Sequence, residues 1–287
     1  MDAKELIKKV RTIEIKTRGL SRQIFAGEYH SAFKGKGMAF SEVREYQVGD
    51  PIKDIDWHVT ARFNHPYVKV FEEEREMTVV LLVDMSASLQ FGTTDKMKNE
   101  LLAEISAVLS FSAIHNNDKI GVIFFTSQVE KFIPPKKGKK HILRIIREML
   151  DFEPQHSGTD ISEALRYLTN ALKKRCTAFL ISDFRDDDYL DALRIAGKKH
   201  DLVGVRLSDI REESLPSIGL VHMLDPETGQ TRWINTSNKR IQKTYKKYWH
   251  ELRQQSVENL KKSGVDFAEI RTDQDYVKPL IALFKRR

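Results

Sequence analysis

From residue 77 onward, fully apolar runs alternate with amphipathic stretches. Met77–Val83 is apolar or β-branched at every position and ends on Asp84. Apolar on both faces, it predicts a central strand of a parallel sheet with helices on each side. Ile120–Phe125 is a second fully apolar run, and Ala178–Ile181, Leu202–Leu207 and Val265–Ile270 read as further strands. Between them, helical spacing of apolar residues predicts helices near 95–115, 139–150, 160–173 and 188–199. In the first of these, Leu101, Leu102, Ile105, Val108 and Leu109 read as one apolar face. Val129–Ile133 reads as a strand hairpinned beside Ile120–Phe125 and broken by Pro134-Pro135. Leu220–Leu224 and Gln230–Ile234 flank the turn DPETG and read as a hairpin added to the sheet edge. A long charged helix over about 238–262 and a last helix over 276–284 complete the series. This alternation predicts an α/β domain with a doubly wound, mostly parallel central sheet flanked by helices.

The first 76 residues read differently, as a helical and β-rich elaboration ahead of the domain at 77–287. Residues 1–30 carry a loose apolar stripe through Leu6, Val10, Ile13, Leu20 and Ile24, against the β-branched Thr12, Ile15 and Thr17. Gly35 and Gly37 mark a turn or a close backbone approach. Val43–Glu45 and Tyr67–Phe71 read as short strands, with Gly49-Asp50-Pro51 as a turn. Asp54, Asp56 and His58 alternate, so on a strand they would share one face and could form a second metal cluster. The plainer reading is a hydrogen-bonded network pinning the front section to the main domain, with Trp57 packed from the opposite side. Arg44, Arg62 and Arg75 are available to pair with these acids or with Glu72–Glu74.

Composition narrows the function classes. Hydrophobic residues at 40% and charged residues at 31% of 287 describe a globular protein. The formal charge is +7 with both signs interspersed, which weakly favours acidic partners. The basic runs Lys136–Arg147 and Lys239–Lys247 read as solvated helix faces or as docking ground for an acidic protein, and nucleic acid is disfavoured. No apolar stretch is long enough to span a bilayer, and MDAKELIKKV lacks the apolar core of a signal peptide. The expected location is therefore cytoplasmic. The single cysteine, Cys176, excludes an internal disulfide framework and reads as a buried inert thiol. Zinc-type HExxH or CxxC spacings, a Walker A loop and a convincing dinucleotide loop are all missing from the sequence.

The chemistry gathers at predicted strand ends. Asp84-x-Ser86-x-Ser88 follows the first central strand, Ser157-Gly158-Thr159-Asp160 enters a helix, and Asp183 follows Ala178–Ile181. The crevice of a doubly wound sheet lies at the carboxyl ends of its strands. Carboxylates and hydroxyls are hard oxygen ligands suited to Mg²⁺ (or Mn²⁺), which keeps several waters. So few charged ligands would leave the ion an open position for a partner's Asp or Glu. Each piece also has an ordinary alternative as a helix cap: Thr159 with Asp160 in the first turn, and Asp183 with Asp186–Asp188.

These residues resemble the metal-ion-dependent adhesion site of von Willebrand factor type A domains. That motif is D-x-S-x-S, a Thr from a second loop and an Asp from a third. Asp84, Ser86, Ser88, Thr159 and Asp183 match it without a departure. GKGMAFSEVREYQVGDPIKDIDWHVTAR and PYVKVFEEERE resemble the signature of one bacterial branch, the family of unknown function called DUF58. The resemblance runs from about Ala32 to Asp209. It implies a von Willebrand factor type A-like fold, a divalent cation on those five residues and a role in protein–protein interaction. Members of that family are often encoded near MoxR-type AAA+ ATPases, which implies such an ATPase as a partner. Two other readings stay open. One is a metal-dependent hydrolase acting on phosphoesters, with Asp84 as ligand or nucleophile, although position 86 is serine where a phosphatase-like D-x-D would place a second aspartate. The other is a structural interaction protein whose site is never filled.

Overall fold

The computed structural model describes residues 39–72, 77–92, 97–224 and 229–287. The helix expected over 1–30, the Gly35–Gly37 turn, Glu73, Glu74 and Arg75 lie outside those residues. The chain divides into two compact units, the smaller being Lys34–Met77.

In the smaller unit, β1 (Ala39–Glu45) pairs antiparallel with β2 (Tyr67–Glu72), and α1 (Trp57–Phe63) lies between them in sequence. Arg44 pairs with Asp50 through two 2.8 Å hydrogen bonds, rather than with the acids proposed from sequence. The alternation of Asp54, Asp56 and His58 does not lie on a strand. Asp54 closes a 3₁₀ turn, Asp56 is the N-cap of α1, and His58 is inside the helix. The Asp56 carboxylate accepts from the His58 and Val59 amides at 3.0 and 3.3 Å. Aspartate is a strong N-cap because it satisfies orphan amides of the first turn, and that preference overrides the period-two pattern. Helical rotation then removes the shared face, and Trp57 is 66% exposed rather than packed.

The larger unit contains β3 (Thr78–Asp84), α2 (Lys98–His115), β4 (Lys119–Phe125), β5 (Val129–Lys136), α3 (Lys139–Leu150) and α4 (Ile161–Ala171). It continues with β6 (Thr177–Ser182), α5 (Leu190–Lys199), β7 (Asp201–Ser208), the one-turn α6 (Ile210–Glu213), β8 (Leu220–Leu224) and β9 (Thr231–Asn235). The last elements are α7 (Lys239–Lys262), β10 (Asp266–Arg271) and α8 (Val277–Lys285). Six strands form one sheet in the order β10-β7-β6-β3-β4-β5. All are parallel except β5. Val79–Val83 and Ala178–Ile181 are fully buried, as expected of strands covered on both faces. Burying each Val or Leu contributes about 1.5–3 kcal/mol. Val80, Leu82, Ala178 and Leu180 share a core cluster with α4, α5 and Leu260 of α7. On the other face Phe179 meets Phe284 of α8, ring centroids 6.2 Å apart.

Three expectations change. α2 is not a one-faced helix: thirteen of its eighteen residues are buried, Lys98 among them. β5 is not broken at Pro134-Pro135 but runs on to Lys136. It is an edge strand with a bulge opposite Gly121, where missing amides cost the ladder little. The β8–β9 hairpin forms a two-stranded sheet of its own and adds no strand to the main one. Among the described residues, no helix is long and apolar enough to cross a membrane.

Candidate functional site

β3 and β6 are parallel neighbours in register, so their last residues reach one rim. Asp84, the final residue of β3, is completely buried. Its Oδ1 accepts the Ser86 amide at 2.9 Å, and its Oδ2 accepts the Ser182 hydroxyl at 2.6 Å. The Ser86 and Ser88 hydroxyls lie 3.0 Å apart. Ser88 also lies near the Asp183 carboxylate, whose charge acts on Asp84. Asp84, Ser86, Ser88 and Asp183 thus form one buried cluster.

Two opposite forces act on its carboxylates. Burial, and then the negative charge of Asp183, push Asp84 up to about 7 against its hydrogen bonds from Ser182 and Ser86. Burial also works to raise Asp183, but the positive charges of Lys98 and Arg185 outweigh it and hold that carboxyl at about 2.

Thr159 approaches the same rim from the loop ahead of α4. The Met85 amide donates to the Phe125 carbonyl at 2.8 Å, and the Asp160 amide donates to the Thr126 carbonyl at 2.9 Å. Both loops are therefore tied to consecutive residues at the end of β4. Asp160, not Thr159, caps α4, accepting from the Glu163 amide at 2.7 Å. That leaves the threonine hydroxyl free of capping duty. Among the described residues, Thr159 Oγ1 is buried without a hydrogen-bond partner, and so is Asp183 Oδ1. Glu130 holds the preceding loop, accepting from the Thr126 hydroxyl and from the Gln155 and His156 amides at 2.7, 2.8 and 3.0 Å.

Sequence reasoning missed the cationic half of the site. Lys98 opens α2 and is fully buried. Its Nζ lies 3.0 Å from Asp183 Oδ2 and 2.5 Å from Glu212 Oε1 in α6. Arg185 reaches the same Glu212 oxygen at 2.5 Å, and its guanidinium stacks 4.1 Å from the Trp249 ring of α7. Phe184, between Asp183 and Arg185, takes a left-handed φ of 58° and donates its amide to Ser182 Oγ at 2.9 Å. Arg185 sits two residues from Asp183, a usable signal. Lys98 and Glu212 carry none, being 85 and 29 residues from it in the chain.

Among the described residues, no three His, Cys, Asp or Glu side chains cluster as a metal site. Whatever binds at this rim must rely on hydroxyls as well as carboxylates. Cys176 is not a reactive alternative. It is buried 3.2 Å from His200 Nδ1, and desolvation, followed by the charge of Asp201, pushes its thiol up to about 12.

A profile for the family described as protein of unknown function, DUF58, matches residues 42–255. The uncharacterized protein Rv1480 of Mycobacterium tuberculosis is 26% identical over all of this chain and 91% of its own length. An uncharacterized protein of Mycobacterium avium is 24% identical over 54% of this chain and 93% of its own. Among solved structures, BatB from Bacteroides thetaiotaomicron aligns with a TM-score of 0.50 at 16% identity, covering 73% of this chain and 98% of that one. That likeness concerns the fold alone, and the fold is von Willebrand factor type A-like: a mostly parallel six-stranded sheet between helical layers.

Proposed function

The chain belongs to the DUF58 family, and from that membership and the rim geometry we propose that it is a metal-dependent protein-interaction module. One observation carries the reading. Asp183 Oδ1, in the cluster with Asp84, Ser86 and Ser88, and Thr159 Oγ1, in the loop tied to the same rim, are both buried with no partner among the described residues. A buried polar atom without a partner costs about 1–3 kcal/mol, and a cation would satisfy both oxygens together. Asp84, Ser86, Ser88, Thr159 and Asp183 would hold Mg²⁺ or Mn²⁺, hard ions that take oxygen ligands. The ion would supply a Lewis-acid position for the Asp or Glu carboxylate of a protein partner.

The chain's own residues prepare that position. Ser182 and the Ser86 amide fix both oxygens of Asp84. Lys98 and Arg185 keep Asp183 ionised and offset part of its charge. The ligand set therefore falls short of neutralising a divalent ion, which favours an incoming carboxylate. By family resemblance, the partner we propose is a MoxR-type AAA+ ATPase.

Calorimetric titration with Mg²⁺ and Mn²⁺ tests the site. The wild type should bind saturably, and Asp84→Ala and Thr159→Ala should each weaken binding at least tenfold. Capture of the ATPase should disappear with EDTA and with Asp84→Ala. Equal capture in all three conditions would end this reading.

A further inference from the structure

A cavity of about 180 Å³ opens beside the rim, with Asp84 and Ser86 in its wall. The rest of its lining is largely apolar and includes Met85, Met97, Met149 and Phe152. Three of the chain's seven methionines thus meet at one cavity. Methionine is unbranched and polarisable, and it adapts to apolar groups of varied shape. Met97 is the N-cap of α2 and is 49% exposed, so the apolar lining reaches the surface beside the polar Asn99 and Glu100. Among the described lining residues the ionisable groups are Asp84 and Glu100, and none is basic. A carboxylate gains nothing by entering such a cavity, whereas an uncharged hydrocarbon does. The size fits one large side chain, since an apolar cavity of about 150 Å³ accepts a benzene ring.

We propose that this cavity takes a large aliphatic or aromatic side chain from the same partner segment whose carboxylate meets the ion. The recognised unit is then an acidic residue with a bulky apolar neighbour, not an acid alone. This rests on the metal-dependent reading above. It adds the feature that would separate one acidic partner from another, because every exposed Asp or Glu offers the same carboxylate.

Small probes isolate the two halves. The full chain, labelled with ¹³C at the methionine methyls, is titrated in Mg²⁺ with acetate and with 4-methylpentanoate. Proton relaxation of Mn²⁺-bound water reports ion binding separately. We expect 4-methylpentanoate to bind at least tenfold more tightly than acetate and to shift the Met97 and Met149 methyls. Met97→Gln, at a half-exposed position that should not disturb folding, should abolish that preference and leave Mn²⁺ affinity unchanged. Normal Mn²⁺ binding with equal affinity for the two carboxylates would overturn the cavity assignment and leave the metal reading standing. Shifts confined to methionines away from the cavity would overturn it too. Failure of Mn²⁺ to bind would overturn both.

Discussion

Lys98 shows how much of this site depends on one residue that looks ordinary in the sequence. A lysine at the start of a helix normally faces water. Here it is fully buried between Asp183 and Glu212, whose side chains are 2% and 5% exposed. Removing one partner from a buried ion network leaves uncompensated charge and costs about 3–5 kcal/mol. Lys98→Met should therefore lower the urea midpoint by a corresponding amount with little change in slope. Because Arg185 still reaches Glu212, the loss should fall at the lower end of that range. A loss below about 1 kcal/mol would show that the ion pair is effectively solvated. The anionic half of the site was legible because Asp84, Ser86 and Ser88 lie within five positions and Asp183 ends an apolar strand. The cationic half was not legible, since Lys98 meets its partners only through the tertiary fold. Thr159 lies between these cases. Its place near a helix start fits a cap equally well, and only the structure assigns that duty to Asp160.

At the scale of elements, sequence patterns placed the six strands of the main sheet and the pairing of Val129–Ile133 with Ile120–Phe125, but not the strand limits or the order of the rest. Pro134-Pro135 looked like a stop because proline cannot donate to a ladder. The structure accommodates the pair on an edge strand, with β4 supplying a residue that has no side chain. A Cβ added at Gly121 would lie 2.9 Å from the Ile133 carbonyl oxygen and from Pro135. Two of those close atoms are backbone and cannot rotate away. Gly121→Ala should cost about 1–3 kcal/mol, as overpacking does, visible as a lower thermal midpoint. The β8–β9 hairpin was legible as a hairpin, but its separation from the sheet was not, because alternation reports a strand and not its neighbours. The loop over 151–158 brings a different prediction. Burial works to raise the Glu130 carboxyl, but hydrogen bonds led by the Gln155 amide outweigh it and lower its pKa below the ordinary 4.5. A carboxyl with a lower pKa in the folded state adds stability above its unfolded value and loses it as pH falls through the folded one. Glu130→Gln should thus be less stable than wild type at pH 7. That gap should hold down to about pH 5 and narrow on further acidification. Melting curves across this range decide it, and a gap that widens toward acid would contradict the assignment.

For the molecule as a whole, strand order does what no local pattern can. The chain runs from β3 to β4 and β5 on one side, then crosses to β6, β7 and β10 on the other. The loops after β3 and β6 therefore diverge from the centre of the sheet and open a crevice at the rim, the usual position of a ligand in a doubly wound fold. The loops that carry residues 84, 159 and 183 reach one rim only after the sheet is complete, so the unfolded chain offers no equivalent ligand set. An ion that binds the folded state alone stabilises it by about 2.7 kcal/mol at a hundred times its dissociation constant. For a unit of this size that corresponds to a rise in thermal midpoint of about 5–10 °C. Mn²⁺ should produce such a rise in the wild type, and EDTA should reverse it. Thr159→Ala is the discriminating variant, since the Thr159 hydroxyl makes no hydrogen bond among the described residues. Its metal-free midpoint should match or slightly exceed that of the wild type, while the increment from Mn²⁺ shrinks. If the metal-free midpoint fell and the increment persisted, Thr159 would be a packing residue, and the rim would have to bind its ion through the other four residues alone.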